Sequence, residues 1–284
     1  LETTLAIERH NERFHRGEVG YELGHNHGSD MTHEEVKTKM LGKRSMNLEG
    51  RNFTDVEPSI MPSMPRHVDW REKNIVTPAK NQGQCGSCYS FGTVGVIESA
   101  IIQKTRQPVD LSEQQIVDCS FHFHRNMNGG CAGGHELVVM DYVRRNGLLS
   151  ESIYQYISGR TQRRNTCQSS SGNFGKNLRY HRVPPGNEDG MAEAVATYGT
   201  LVVSISGENR QFQFLRGGIF DNPSCPKSVD HVVSIVGYGE DGGRKYWIVK
   251  NSWGRSWGEN GFGKVARGVN QCGIASDNAW AITV

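Results

Sequence analysis

Apolar residues recur at helical spacing after Cys88: Phe91, Val94, Ile97 and Ile101 share one face, which predicts a helix beginning at that cysteine. Ser112 with Gln115 forms a cap signature ahead of Ile116 and Val117, and residues 135–145 offer a third helix. Beyond Tyr180 the texture changes to short β-rich runs at 201–205, 231–236 and 246–249, several of them separated by Gly-rich turns. Near the front, Thr32-His33-Glu34-Glu35 reads as a helix start with Thr32 capping and Glu35 reciprocating, and the stretch to Leu41 ends at Gly42. From Gly50 to Pro65, with Pro58 and Pro62, the residues read as an extended linker. The pattern implies an α+β protein with a helical half, a strand-rich half and a functional cleft between them.

Composition narrows the class. The 284 residues are 36% hydrophobic and 22% charged, with 34 glycines, and allow one or two domains. No run approaches the ~20 apolar residues of a membrane span, so no membrane span is expected. A net charge of +2 gives no reason to expect a nucleic-acid partner. Charge is unevenly placed, however. Residues 1–64 carry eight Lys or Arg against eleven Asp or Glu, 8 − 11 = −3, so the remainder carries +5. That front also holds His10, His15, His25, His27 and His33, which would charge near pH 6.5 if solvent-accessible. A separable, acid-released segment is the reading these features support. Asn52-Phe53-Thr54 is a glycosylation sequon, with Asn52 the acceptor on a secretory route.

The chemistry centres on Gln82-Gly83-Gln84-Cys85-Gly86-Ser87-Cys88. Seven cysteines allow three disulfides and leave at least one thiol over in a monomer, in keeping with a secreted or lumenal protein. Cys85 and Cys88 can be half a metal site, a redox pair, or a staple beside a nucleophile. Structural zinc needs four ligands, and His122 and His124 complete no recognisable spacing. A redox pair would want a βαβ context that is not apparent. A nucleophile at a helix start has its thiolate favoured by the dipole, but it needs an imidazole and an orienter. Asp230-His231 opens one β-rich run and Asn251-Ser252-Trp253 follows another, while Gln82 offers an amide donor.

These blocks, with Cys131-Ala132-Gly133-Gly134 and the run from Asn251 to Gly258, resemble the papain family of cysteine proteases in family order, on its cathepsin L-like branch. The resemblance implies a papain-like two-domain fold: a partial inhibitory propeptide and linker at 1–64, a mainly helical domain at 65–180, and a mainly β, barrel-like domain at 181–284 whose tail crosses back. It implies Cys88 as nucleophile, His231 as general base and acid, Asn251 as its orienter, and Gln82 with the Cys88 N–H as oxyanion hole. Trp253 would shield the Asn251–His231 hydrogen bond. It pairs Cys85–Cys131, Cys119–Cys167 and Cys225–Cys272, leaving Cys88 free.

Substrate-binding positions carried over from the resemblance are Gly86, Gly133, Gly134, Asp230 and Trp253. The resemblance implies a pocket for the substrate's P2 side chain lined by His135, Glu136, Ser204, Val229 and Asp277, with Asp277 expected at its floor. Related enzymes are more apolar at several of these places, so the carboxylates point to basic as well as apolar P2 residues. Tyr89 stands where a tryptophan is common. Phe121-His122-Phe123-His124 forms an unusual insert, read as a decorated surface loop. No counterpart of a cathepsin B-like occluding loop is present, which favours an endopeptidase. In the front segment, Ile7 and Asn11 match the end of the family's helical motif, and residues 24–30 resemble its G-x-N-x-F-x-D element with Gly28 in place of the aromatic. The junction around Met64 and Pro65 implies a mature start near Pro65, so the chain reads as an incomplete proenzyme. The family further implies protein and peptide substrates, cystatin-like inhibitors, a monomer, no cofactor and no metal, and a lysosomal, digestive-vacuolar or secreted setting. The rival class is a proteolytically silent binding protein on the same fold, opposed by the intact Cys88, His231, Asn251 and Gln82.

Overall fold

The computed structural model describes residues 2–56 and 63–284. The front segment forms helix α1 (Glu2–His15), the short strand β1 (Tyr21–Leu23) and helix α2 (His33–Lys39). Strand β2 (Val68–Asp69) opens the body, followed by helices α3 (Cys88–Thr105), α4 (Glu113–Cys119), α5 (Glu136–Asn146) and the single turn α6 (Ser158–Thr161). Then come β3 (Arg179–Val183), α7 (Glu188–Tyr198), β4 (Leu201–Ile205), α8 (Arg210–Gln213) and β5 (Leu215–Phe220). The chain closes with β6 (His231–Asp241), β7 (Arg244–Lys250), β8 (Phe262–Ala266) and β9 (Ala279–Thr283).

Local chemistry sets several of these ends. Thr32 accepts the Glu35 N–H while the Glu35 carboxylate accepts the Thr32 N–H, a reciprocal cap on α2. Ser112 caps α4 by accepting the Gln115 N–H. Helix α3 is buried continuously from Cys88 to Ile102, not on one face alone. It lies between α5, with Leu137 and Met140, and the back of the sheet, with Val202, Val232 and Trp280 in the same core. Gly92 permits this closeness, since a Cβ there would come within 2.8 Å of Val232 Cγ1.

The sheet runs β1-β5-β8-β7-β6-β4-β9-β3, with β2 pairing β6 off that path. All pairs are antiparallel except β5–β8. The expected barrel is therefore corrected: among the described residues β1 and β3 are the edges of an open sheet, and no pairing joins them. The helical and strand-rich halves are present, though α7 and α8 sit within the second. A further core lies on the sheet's other face, where Phe212, Phe220, Trp253 and Trp257 pack with Ile7, Tyr21, Leu23, Val36, Met40 and Leu41 from the front segment. The front segment is thus docked by apolar burial, by a strand pairing with Tyr21 opposite Gly218, and by isolated bridges of Lys43 to Gly134 and Asp55 to Arg182. Residues 57–62 of the expected linker lie outside the described residues.

Candidate active site

Cys88 is the first residue of α3 and His231 the first of β6, and the packing of Gly92 on Val232 holds those two element starts together. Strand β7 returns antiparallel to β6 and delivers Asn251 beside the imidazole: His231 Nε2–H donates to Asn251 Oδ1 at 2.8 Å. The Trp253 ring stacks on His231 at 4.6 Å between centroids. His231 Nδ1 has no partner among the described residues, so one ring nitrogen is fixed and the other is open.

Gln82 is held across the two halves. Its backbone N–H donates to Ser252 O at 2.9 Å, its side-chain Oε1 accepts the Ser252 hydroxyl at 2.6 Å, and its Nε2 donates to Cys85 O at 2.8 Å. Cys85 is bonded to Cys131, Cys119 to Cys167 and Cys225 to Cys272, and Cys88 is the free thiol. Tyr89 packs beneath Gly134 and donates its hydroxyl to Gly130 O at 3.0 Å.

The front segment covers this site. Gln82 Nε2 also donates to Met40 O at 2.8 Å. The N–H groups of Gly42 and Lys43 both donate to Asp230 O, at 3.1 and 2.9 Å. Gly134 clamps the same stretch, its N–H donating to Gly42 O and its C=O accepting from Arg44, both at 2.8 Å. The approach is so close that a Cβ on Gly42 would collide with the Gly86 backbone. Gly86 and Gly133 are confined likewise, with the Cys131 carbonyl 2.6 Å from a Cβ at Gly86, and with φ of +97° at Gly133.

Burial under this cover dominates the electrostatics. It pushes the Cys88 thiol up to about 12, against backbone N–H groups of Val232 and Gly42 that favour the thiolate. It pushes His231 down to about 4, against the bond to Asn251. The covered pair is therefore a neutral thiol and a neutral imidazole. Burial likewise raises the Asp230 carboxyl to about 6, although it accepts the Gly207 N–H at 2.7 Å.

Lys43 supplies what the sequence reading missed. Its ammonium sits 2.9 and 3.0 Å from the Glu136 carboxylate oxygens and 3.0 Å from Asp277 Oδ2. The Lys43 and Glu136 side chains are each 2% exposed and Asp277 is 28% exposed. Asp277 is thus the more exposed of the two carboxylates and Glu136 the more enclosed. His135 is buried beside them, with Nδ1 accepting the Leu137 N–H at 3.1 Å as the cap of α5 and lying 3.6 Å from Glu136 Oε2. Val229 is half-buried two residues before His231, and Ser204 is buried on β4 with no hydrogen-bond partner for its hydroxyl among the described residues. The available signal was charge complementarity: a lysine directly after the Gly42 that ends the capped stretch, facing a pocket already assigned two carboxylates.

The insert also does more than decorate the surface. Arg51 Nη2 donates to His124 Nδ1 at 2.7 Å, and His124 Nε2–H donates to Asp141 Oδ2 at 2.7 Å, tying the front segment to the insert and to α5. At Gly28 the missing aromatic leaves space bounded by His27, Val36, Met40, Phe214 and Trp253, and nothing lies closer than 3.4 Å to a Cβ built there. Asn52 is exposed.

Residues 64–282 match the family described as papain family cysteine protease. The chain is 41% identical over 281 residues to digestive cysteine proteinase 1 of Homarus americanus, covering 98% of this chain and 84% of that one. It is 40% identical over 278 residues to human cathepsin L2, covering 95% and 80%. The solved structure of digestive procathepsin L 3 from the larval midgut of Tenebrio molitor superposes with a TM-score of 0.88 at 35% identity, covering 100% of this chain and 89% of that one. The chain belongs to the papain family of cysteine proteases, as a cathepsin L-like proenzyme whose front segment is its own inhibitory propeptide.

Proposed function

We propose that the body is an endopeptidase working through Cys88, His231 and Asn251, and that it accepts lysine or arginine as well as apolar side chains at P2. With the propeptide gone, water and substrate reach a pair that is neutral under cover, and the thiol proton passes to His231 Nδ1. The thiolate attacks the peptide carbonyl, whose oxygen turns toward the Gln82 amide and the Cys88 N–H. Imidazolium protonates the leaving amine as the C–N bond breaks. Neutral imidazole then takes a proton from water, which displaces the thiolate from the acyl-enzyme. Asn251 keeps Nε2 occupied, so Nδ1 remains the nitrogen that moves the proton. Gly134 would pair with the substrate backbone as it pairs with Gly42 and Arg44, and Gly86, Gly133 and Asp230 would keep the channel narrow.

The observation that carries the P2 reading is the Lys43 ammonium held between Glu136 and Asp277. It also accounts for inhibition without cleavage. In a substrate with P2 in that pocket, the attacked carbonyl belongs to the residue after P2. Here the chain after Lys43 leads away, with Arg44 donating to Ala132 O and Met127 O. The residues before it, Gly42 and Met40, cover the thiol and the Gln82 amide. The propeptide therefore runs backwards relative to a substrate.

Around this reading stand the remaining assignments. The propeptide and linker end near residue 64, the helical domain spans 65–180 and the strand-rich domain 181–284. The enzyme acts as a monomer, meets cystatin-like inhibitors, and works in a lysosome, an acidic digestive vacuole or after secretion, the word digestive in the names of two relatives supporting a digestive setting. No helix among the described residues is long and apolar enough to cross a membrane. Asn52, being exposed, is the glycan acceptor if the chain is secreted. The test is paired fluorogenic peptides differing only at P2, Arg against Leu, on the acid-activated enzyme and its Asp277→Ala and Glu136→Leu variants. Arg turnover should fall about 100-fold in either variant with Leu turnover kept, the scale of a lost charged hydrogen-bond pair. Equal Arg turnover in all three would reject the acidic pocket. No turnover of either peptide after confirmed propeptide removal would reject the protease reading in favour of a silent binding protein.

A further inference from the structure

Three side chains around the Lys43 ammonium are of the kind that bind transition metals. His135, Glu136 and Asp277 each offer one donor atom, and these atoms lie within 4.8 Å of one another. His135 and Glu136 are buried and adjacent at the start of α5, which fixes their backbone, and Asp277 is the most exposed of the three. A cation already occupies the space between them, because Lys43 Nζ is 2.9–3.0 Å from three carboxylate oxygens. When the propeptide leaves, that positive charge leaves with it, and two carboxylates and an imidazole are left around the place the ammonium held.

We propose that propeptide release uncovers a Zn²⁺ site, in which His135, Glu136 and Asp277 bind the ion where the Lys43 ammonium now sits, closing the pocket to basic P2 side chains. The last clause rests on the P2 reading above, and the metal capture does not. The geometry needs contraction and the release of one helix-cap hydrogen bond. Zinc holds carboxylate oxygen at about 2.0–2.2 Å, so each carboxylate moves in by roughly 0.8 Å, which the exposed Asp277 can do most freely. The 3.6 Å between His135 Nδ1 and Glu136 Oε2 is already close to the edge of a tetrahedron of such bonds. The imidazole favours a transition metal over calcium or magnesium, and for zinc the fourth position falls to water. His135 Nδ1 gives up the Leu137 N–H on binding, a cap whose loss the metal bond outweighs.

The test is calorimetric titration with ZnCl₂ at neutral pH, using mature enzyme whose Cys88 has been carbamidomethylated so that the thiolate cannot bind metal. One site is expected, weakened by more than the ~10–100-fold that loss of an outer-shell partner costs in both Asp277→Asn and Glu136→Gln. Two proenzymes guard against variants that merely misfold. Cys88→Ser proenzyme, with Lys43 in place, should lack this site, and Cys88→Ser/Lys43→Ala proenzyme should gain it, any weak sites on exposed histidines being common to both. Binding unchanged in Asp277→Asn and Glu136→Gln, or no site gained on removal of Lys43, would overturn the proposal. The P2 peptides read separately: a metal site without an Arg preference defeats only the pocket's substrate role, and an Arg preference without a metal site defeats only this inference.

Discussion

A lysine ammonium taken almost wholly out of water must have its hydration replaced, and at Lys43 two carboxylates do this. Truncating Lys43 to alanine leaves Glu136 and Asp277 facing each other with no cation. Removing one partner of a buried pair costs about 3 kcal/mol or more, which corresponds to roughly 100-fold in propeptide docking. The direct readout is the rate at which a small neutral alkylating agent reaches Cys88 in the proenzyme. Lys43→Ala should raise that rate about 100-fold, while Lys43→Arg should leave it nearer the parent value. Gly42→Ala should have at least as large an effect, because the collision is with Gly86 backbone and no side chain can move aside. Unchanged alkylation in both variants would mean that the stretch over the thiol is held from elsewhere. The dyad itself brings no acid trigger. Covered, it holds one proton on sulfur, and the thiolate–imidazolium pair proposed for the opened enzyme would still hold one, so opening takes up no proton there across the middle pH range.

Acid sensitivity therefore belongs to the elements of the propeptide. On α1, His10 packs at a tilt against Tyr21 of β1 with 4.6 Å between ring centroids, donates from Nε2 to Tyr21 O at 2.9 Å, and has its other nitrogen buried with no partner among the described residues. Burial lowers its pKa below 6.5 in the docked state. Once α1 and β1 separate, the ordinary value returns, so release takes up a proton below pH 6.5. The docked state is fully favoured by this group above that value and loses ground as pH falls. One such group contributes at most about tenfold per pH unit. His10→Gln, which can still donate to Tyr21 O, should flatten the rise of Cys88 alkylation between pH 6.5 and 5, and a slope as steep as the parent's would rule His10 out. The same elements mark what the sequence concealed. Helices α3, α4 and α5 and strands β4, β6 and β7 were legible because long apolar runs or caps announce them. Strand β1 is three residues long and exists by pairing with β5, β3 is a largely polar edge strand, and α7 carries Gly190 within a strand-rich stretch. Cys88, His231 and Asn251 stood out through their flanking motifs. Lys43 has no motif, and only the folded chain brings it to Glu136.

On the scale of the molecule, the two halves that contribute Cys88 and His231 must keep their relation after the propeptide has gone, and a buried charge network spans them. Lys250, the last residue of β7 and the neighbour of Asn251, donates to Thr77 Oγ1 at 2.8 Å, and Thr77 in turn donates to Glu98 on α3 at 2.5 Å. Glu98 also accepts from Lys80 at 3.0 Å and from the Leu111 N–H at 2.8 Å, and Lys80 reaches Glu113 on α4 at 2.8 Å. Burial lowers the Lys250 ammonium and raises the Glu113 carboxyl, so charge on either is costly without the other members. Glu98 is the node: its removal leaves the Thr77 hydroxyl and the Leu111 N–H without their acceptor and takes one of three carboxylates from Lys80, which keeps Glu113 and Asp110. Breaking a buried pair from one side costs about 3–5 kcal/mol, and at roughly 2–4 °C per kcal/mol the Tm of Glu98→Ala proenzyme should fall by about 10 °C. Glu98→Gln, which can still accept from Lys80 and the Leu111 N–H, should fall by less. A drop of only a degree or two in Glu98→Ala would show that water replaces the carboxylate and that apolar packing of α3 on β4 and β6 holds the halves together unaided. If the network is the clamp, mature Glu98→Ala should lose kcat more than it gains KM, since what it loosens is the position of Asn251 and His231 against Cys88 and not the pocket that takes the P2 side chain.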